Sequence, residues 1–437
     1  MSVVLNIETT AKNAKNASYK LASLDTEIKN RALEAIALNI EKNKEKIIAA
    51  NELDLNEAQN MVEKGNLSTS LYSRLKLDED KIKIMIQGIY DVAKLEDPVN
   101  KIIGAVELDQ DLELYKVSCP LGVIGVIFES RPDVVPQIVA LAVKSSNAVL
   151  LKGGIEAFNT NKILIEVITE ALNFIPEFPK NAINLLKTRE DVAEMLKMDK
   201  FIDLIIPRGG NSLVKYIQEN TKIPVLGHAD GICHIYTDEM ADLAKSIKIT
   251  LDSKIQYPSA CNAVETILVH ENIAKNYLPC LIRELREKEV TVKGDKTVQD
   301  LVSNIITATE DDWKTEYSDK TVSIKVVKDI YEAIEHINNY GSGHTDCIIT
   351  ENKENIEIFM NLVDSAGVYH NVSTRFADGF RYGLGAEVGI STNKTHARGP
   401  VGLEGLVIYK YKLFGNGQTV SEYSGYAGKK FKHTKIK

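Results

Sequence analysis

Apolar residues along the chain change their period in a regular way. Near the amino terminus Ile28, Ala32, Ile36 and Ile40 recur at a spacing that puts them on one face of a helix. Farther on, short β-branched runs follow helix-like segments. KVSCPLGVIGVIF reads as a buried strand; VVPQIVALAVKSS then leads into AVLLKGG, NKILIEVITEALNFI into AINLLKT, and DVAEMLKM into FIDLIIPRGG. A second series follows VLGHADGICHIY: the helix MADLAKSIKITLDSK, a loop holding Cys261, the strands AVETILVH and TVSIKVV, the helix IYEAIEHINNY, the strand TDCIIT and the helix NIEIFMNLVD. Such alternation predicts parallel sheets with helices on both faces, because a parallel connection must cross over and a helix does so compactly. The expected class is α/β, with two three-layer, parallel-sheet domains and Cys261 near their junction.

Composition excludes some functions. With 437 residues, 44% hydrophobic and 26% charged, the chain has ordinary globular composition and room for two or three domains. A formal net charge of -8 argues against a nucleic-acid partner, which needs a basic face for phosphates. The one basic run, KKFKHTKIK at residues 429–437, reads as a solvated, frayed tail. MSVVLNIETTAKNAK carries no visible secretory signal, and the longest apolar stretches, PLGVIGVIF and VVPQIVALAV, fall far short of the roughly 18 residues a membrane span needs. A cytoplasmic protein without a membrane partner is expected. Cys119, Cys233, Cys261, Cys280 and Cys347 are odd in number, widely spaced and never CxxC, which suits reduced thiols and indicates neither a disulfide framework nor a metal site.

Candidate chemistry sits at two strand ends and in one loop. Ligands of parallel sheets bind beyond the carboxyl ends of the strands. There, Lys152-Gly153-Gly154 follows AVLL, and Pro207-Arg208-Gly209-Gly210 follows FIDLII and opens the predicted helix NSLVKYIQEN, whose free amides and dipole suit a phosphate. Plain turn chemistry accounts for the glycines equally well. GLGAEVG at 383–389 lacks the dinucleotide fingerprint spacing, and no GxGxxG occurs. Cys261, in QYPSACNAVET, follows Tyr257, Pro258, Ser259 and Ala260 and precedes Asn262. A reactive thiolate could be displayed there.

The order PLGVIGVIFESRPD, NAVLLKGG, PRGG, GHADGICHIY, a lone Cys261 and NVSTRFADGFRYGLGAEVGIS resembles the aldehyde dehydrogenase superfamily over nearly the whole chain. More closely, it is similar to the branch that reduces glutamyl 5-phosphate. The resemblance implies NADPH (NADP) as cofactor, with Lys152, Gly153 and Gly154 near the adenosine ribose and its 2′-phosphate. It places Pro207, Arg208, Gly209 and Gly210 near the pyrophosphate, and Glu316 near the nicotinamide ribose. Cys261 falls at the nucleophile, with backbone amides near Cys261 and Asn262 holding the oxyanion. Arg131 and the stretch Ser373, Thr374 and Arg375 are the candidates for the substrate's phosphate and α-carboxylate, since planar arginine suits both anions. Residues 1–105, 121–225 and 385–404 would form the NADP-binding domain, 226–384 the catalytic cysteine domain, 106–120 and 405–416 an oligomerisation ribbon giving at least a homodimer, and 417–437 a tail.

Two departures bear on the reaction. Arg131 stands where aldehyde-oxidising relatives carry an asparagine, and Gly227 and His228 stand where they carry the glutamate that activates water. Without that base a cysteine thioester is not hydrolysed, and a phosphate leaving group needs no activated water. The implied reaction is NADPH-dependent reduction of L-glutamyl 5-phosphate to L-glutamate 5-semialdehyde and phosphate, the second step of proline biosynthesis from glutamate. The chain has no room for a kinase domain, so a separate glutamate 5-kinase supplies the substrate. Because acyl phosphates are labile, a transient complex with it is an expectation.

Three rivals use the same residues. His228 or His270 beside Cys261 would make a thiol hydrolase, which leaves KGG and PRGG unexplained. A binding protein of the same fold has no use for Cys261. A coenzyme-A-acylating aldehyde dehydrogenase also dispenses with the base, and stays open.

Overall fold

The computed structural model describes residues 6–227 and 230–437, so His228 lies outside the described residues. Helices Ile7–Leu21, Thr26–Lys42, Lys44–Glu63, Thr69–Leu75 and Glu79–Lys94 come first. Asn6, Asp25, Ser68 and Asp78 accept from Thr9 N, Ile28 N, Leu71 N and Lys81 N, so four of these helices start on side-chain caps. Their apolar stripes, among them Leu33, Ile36, Ile40 and Ile89, pack in one cluster with the first parallel sheet. That sheet has four strands in the order Ile183–Leu185, Ala148–Lys152, Val123–Phe128, Leu204–Arg208. The same cluster takes in Ala386, Val388, Val401 and Leu406 from late in the chain.

KVSCPLGVIGVIF forms two strands rather than one. Leu112–Pro120 joins an antiparallel sheet, while Val123–Phe128, buried throughout, joins the parallel one. Between them the Gly122 N–H donates to Asn147 Oδ1 (2.8 Å) instead of to a strand neighbour, which ends one ladder before the next begins.

The second parallel sheet has seven strands: Ile306–Thr307, Thr291–Gly294, Thr321–Val327, Val264–His270, Cys233–Thr237, Thr345–Ile349 and Gly367–His370. Helices Leu243–Ile255 and Glu271–Glu287 pack on one face through Ile249, Leu278, Leu281 and Leu285. Helices Ile330–Tyr340 and Lys353–Leu362 cover the other through Ile334, Ile337 and Phe359. The pattern of apolar positions misses Glu271–Glu287, which carries Pro279 within it, and the short strands at 291–294 and 306–307.

The antiparallel sheet runs Val407–Phe414, Leu112–Pro120, Ile102–Asp109, Thr434–Lys435. Its last member corrects the expectation of a frayed tail. Lys432 Nζ lies 3.5 Å from Glu107 and 3.6 Å from Asp109, Phe431 stacks on Tyr423 with centroids 4.5 Å apart, and Ile436 N donates to Ala105 O at 2.9 Å. Acidic residues on an otherwise unpaired edge strand recruit the basic segment as a further strand. No helix among the described residues is long and apolar enough to cross a membrane.

Candidate active site

Cys261 lies in the turn between helix Leu243–Ile255 and strand Val264–His270, the latter buried along its whole length. Ala260 N donates to Tyr257 O (3.1 Å) and Ala263 N to Ala260 O (2.9 Å), which winds the chain tightly around the cysteine. Gly231 supports the turn from beneath. A Cβ at that position would stand 2.3 Å from Cys261 O and 2.7 Å from its Cα, so only glycine lets the two backbones meet. Cys233 Sγ donates to the same Cys261 carbonyl at 3.3 Å.

Asn262 is buried, and its amide donates to Ala377 O at 2.8 Å. Thr374 Oγ1 donates to Asn262 O (2.7 Å), Thr374 N to Ser253 Oγ (3.2 Å), and the Ser253 hydroxyl to Ser373 Oγ (3.1 Å). This corrects the expected role of Ser373 and Thr374. Both are committed to scaffolding the cysteine turn, and Thr374 has no exposed surface with which to meet a substrate. Arg375 does come near. Its Nε donates to Gln256 Oε1 (2.9 Å) and its guanidinium lies 5.9 Å from the Tyr257 ring centroid. Burial, and then Arg381, press its pKa below the ordinary arginine value, while the Cys261 charge opposes them.

Cys261 opens onto a cleft of about 750 Å³, whose lining includes Arg74, Glu129, Arg131, Arg208, Glu316 and Glu387. Arg131 follows Ser130, a buried residue at φ 41° whose N–H and hydroxyl both bond Glu156 Oε1 (2.9 and 2.5 Å). That clamp holds the left-handed backbone that turns the chain off the end of Val123–Phe128. Arg131 pairs with Asp133 at 3.2 Å. Arg208 departs from expectation. Its side chain runs toward Gly389, whose Cβ would meet Arg208 Cδ at 3.3 Å, and burial and then Arg131 lower its pKa against the pull of Glu387 and Cys261. The guanidinium therefore belongs to the Cys261 side of the cleft, not to the glycine turn that follows it.

That turn already holds an anion. Gly210 N, at the start of helix Asn211–Glu219, donates to Glu129 Oε2 at 2.9 Å. Of the other carboxylates in the cleft, Glu387 accepts from Gly379 N (2.8 Å), and Glu316 lies beside Ser318 in the lining. Lys152 ends strand Ala148–Lys152 and is buried, which lowers its pKa, with Glu156 opposing. Gly153 has a packing reason, since a Cβ there would stand 2.2 Å from Asn161 Nδ2 and 2.9 Å from the Phe128 ring; Gly210 has open space within 4 Å.

Beneath the site Lys254 and Glu265 form a fully buried ion pair at 2.6 Å. Burial pushes the Glu265 carboxyl up to about 8 against the pull of Lys254. Glu265, Arg74, Glu129 and Tyr257 were not among the sequence candidates. Glu265 stood four positions beyond the cysteine inside an apolar strand, where a lone carboxylate is a visible signal of pairing. His270 does not approach Cys261; its ring accepts from Asn272 N (3.1 Å) at the far end of the strand.

Comparison with known proteins agrees with this architecture. Residues 4–322 match the aldehyde dehydrogenase family. The γ-glutamyl phosphate reductase of Brachyspira hyodysenteriae is 61% identical over 426 residues, covering 98% of each chain. The crystal structure of the Thermotoga maritima γ-glutamyl phosphate reductase superposes with a TM-score of 0.91 at 41% identity, covering 94% of this chain and 99% of that one. An acetylating aldehyde dehydrogenase from Geobacillus thermoglucosidasius shares the fold at a TM-score of 0.64 and 18% identity, over 94% of this chain and 97% of the other. The chain belongs to the aldehyde dehydrogenase family, among its γ-glutamyl phosphate reductases.

Proposed function

We propose that the chain reduces L-glutamyl 5-phosphate to L-glutamate 5-semialdehyde and phosphate, with NADPH as reductant and a thioester on Cys261 as intermediate. The observation that carries this reading is the cationic wall beside the nucleophile. Arg208 and Arg375 are both close enough for the Cys261 charge to act on them, and among the described residues neither has a carboxylate within ion-pair distance. Unpaired guanidinium groups around a nucleophile suit a substrate whose leaving group is a phosphate.

The thiolate adds to the acyl carbon, a C–S bond forms, and the C–O bond to phosphate breaks with its electron pair leaving on the phosphate beside those arginines. The cofactor, when bound, supplies a hydride to the acyl carbon. The N–H groups of Cys261 and Asn262, for which no acceptor is found among the described residues, would hold the resulting oxyanion. Collapse of that adduct releases the aldehyde and restores the thiolate.

The residues present fit a dinucleotide. The helix end at Gly210 accommodates a carboxylate, so a pyrophosphate oxygen can take the place of Glu129 there. Lys152, with Gly153 and Gly154, would hold the ribose and 2′-phosphate, and Glu316 the nicotinamide ribose. Five free cysteines suit a reducing, cytoplasmic setting. Ile408, Tyr411, Leu413 and Phe414, exposed along strand Val407–Phe414, support a homo-oligomer of at least two chains. A transient encounter with a glutamate 5-kinase remains part of the proposal on chemical grounds alone.

The deciding experiment runs the reaction backwards. With glutamate 5-semialdehyde and NADP, steady reduction is expected only when phosphate, or arsenate in its place, is present to cleave the thioester, and its dependence should saturate. Steady turnover in buffer free of both, releasing glutamate, would return the chain to ordinary aldehyde oxidation. Replacement of phosphate by coenzyme A as the obligatory acceptor would favour the acylating rival.

A further inference from the structure

The cleft holds an arginine for which the mechanism has no use. Arg74 belongs to helix Thr69–Leu75, which comes from the helical layer far from Cys261 in sequence, yet it lines the same cleft as Arg131, Arg208 and Cys261. Its presentation is firm. Leu75, the next residue, is fully buried in a small cluster with Ala58 and Ala157. The side chain of buried Asn51 donates to Leu75 O at 2.9 Å and accepts from Leu77 N at 2.8 Å, bolting the carboxyl end of the helix to Lys44–Glu63. The same Asn51 also donates to Thr160 Oγ1 at 3.2 Å. A surface arginine needs no such anchorage.

Arg74, Arg131 and Arg208 share the lining of one cleft with Cys261. Arg208 stands by Cys261, and Arg131 stands by Arg208. Tyr257, in the turn that carries Cys261, has its hydroxyl drawn below its ordinary pKa by hydrogen bonding to Ser259, then by Arg74 and Arg131, both of which line the cleft. Among the described residues no carboxylate pairs with Arg74. The phosphate must lie at the Cys261 end, because it departs from the carbon that the thiolate attacks. The substrate's second anion, its α-carboxylate, lies four carbons away along a flexible chain, and Arg74, in the lining of the same cleft, offers it a guanidinium.

We infer that Arg74, assisted by Tyr257, binds the α-carboxylate of the substrate and so selects amino-acid aldehydes and acyl phosphates over simple ones. This rests on acyl-phosphate reduction as the activity. A planar guanidinium matches a carboxylate through two parallel hydrogen bonds, and the phenol hydroxyl can donate a third.

The test uses the full-length enzyme in the reverse direction, with glutamate 5-semialdehyde and with butanal, an aldehyde lacking the carboxylate, at saturating NADP. Arg74→Gln is expected to raise KM for glutamate 5-semialdehyde by roughly 10- to 100-fold while kcat changes little. It should leave kcat/KM for butanal and KM for phosphate unchanged. Arg74→Lys should recover part of the loss, since it restores charge but not the fork, and it serves as the test if the glutamine variant is poorly folded. A rise in KM for phosphate would put Arg74 on the leaving group and overturn the inference. So would equal losses with both aldehydes, which mark a structural role, or no loss with either. Phosphate dependence of the unaltered enzyme is measured alongside, so failure of the parent reading is seen separately from failure of the assignment of Arg74.

Discussion

Replacing Gly231 by alanine isolates the geometry of the nucleophile from its chemistry. The three atoms nearest the added methyl all belong to the Cys261 backbone. That methyl would stand 2.3 Å from Cys261 O, 2.7 Å from its Cα and 2.8 Å from its carbonyl carbon, where real contacts essentially never fall below 3.0 Å. Every one of these partners is backbone, so no side chain can swing aside. The φ of Gly231 is not in the left-handed region, which leaves crowding as the sole cause of any effect. Relief requires the Cys261 turn to retreat by about 0.7 Å or more, and misplacement of about 1 Å at a reacting atom costs on the order of 100-fold. Overpacking of this kind also costs about 1–3 kcal/mol of stability, which a domain stable by roughly 5–15 kcal/mol survives.

Gly231→Ala is therefore expected to fold, to bind NADPH with near-normal affinity and to lose about 30- to 100-fold in kcat for phosphate-dependent NADP reduction. Cofactor fluorescence titration, thermal melting and steady-state rates measured together separate the three quantities. A variant with normal kcat would show that the turn yields without moving the thiol, and the claim that Gly231 positions it would fall.

Four further outcomes are expected. Cys261→Ser should abolish turnover with NADPH binding intact, while Cys119→Ser, Cys280→Ser and Cys347→Ser stay active; a dead but folded variant among the last three would displace the nucleophile assignment. Lys152→Ala should raise KM for NADPH by roughly 10- to 100-fold and change KM for NADH little, whereas equal losses would move Lys152 to the shared ribose or to the fold. Gly210→Ala places a methyl in open space at φ -65°, so a melting temperature close to that of the parent with a several-fold rise in KM for NADPH marks close approach of the pyrophosphate, and an unchanged KM reduces the glycine to turn chemistry. His336 is buried beside Trp313 and Tyr340, and burial, then His234 and Lys325, hold its pKa down at about 2, against 6.5 in the unfolded chain. A depressed folded pKa gives stability that is present above pH 6.5 and lost as pH falls. Urea titrations should thus find the parent losing about 2 kcal/mol more than His336→Phe between pH 7 and pH 5, and equal losses would refute the assignment.

Much of this architecture was legible because it is written locally. A β-branched run after a helical run names its own crossover, and both parallel sheets follow from that repetition. Cys261 stood out for a similar reason, as a thiol in a small-residue turn at the mouth of a strand. The failures share a different cause. Ser373 and Thr374 look like ligands in sequence because their hydroxyls are short and polar, but the fold spends them on Ser253 and on the Asn262 carbonyl, partners more than a hundred positions away. Arg208 sits in a phosphate-binding motif by sequence, yet its side chain is long enough to run toward Gly389, within reach of the Cys261 charge. The basic tail looked solvated because its run of lysines contains no acidic residue, while Glu107 and Asp109 wait on an open strand edge far away in sequence.

Arg74 carries the point furthest. Its neighbours, YSRL, hold no motif, and by local rules it is an arginine on an amphipathic helix, which most often pairs with solvent or a nearby carboxylate. What distinguishes it is a conjunction of distant contacts: Asn51 on the Leu75 carbonyl, Leu75 in its own buried cluster, and a cleft built by strands from another part of the chain. Each contact is ordinary, and only together do they bring a guanidinium that has no carboxylate partner among the described residues to the lining of the cleft. Motif spacing can therefore find the atom that reacts, since reactivity needs a local microenvironment, but it cannot find the atoms that choose the substrate, which owe their position to packing between elements that share no sequence.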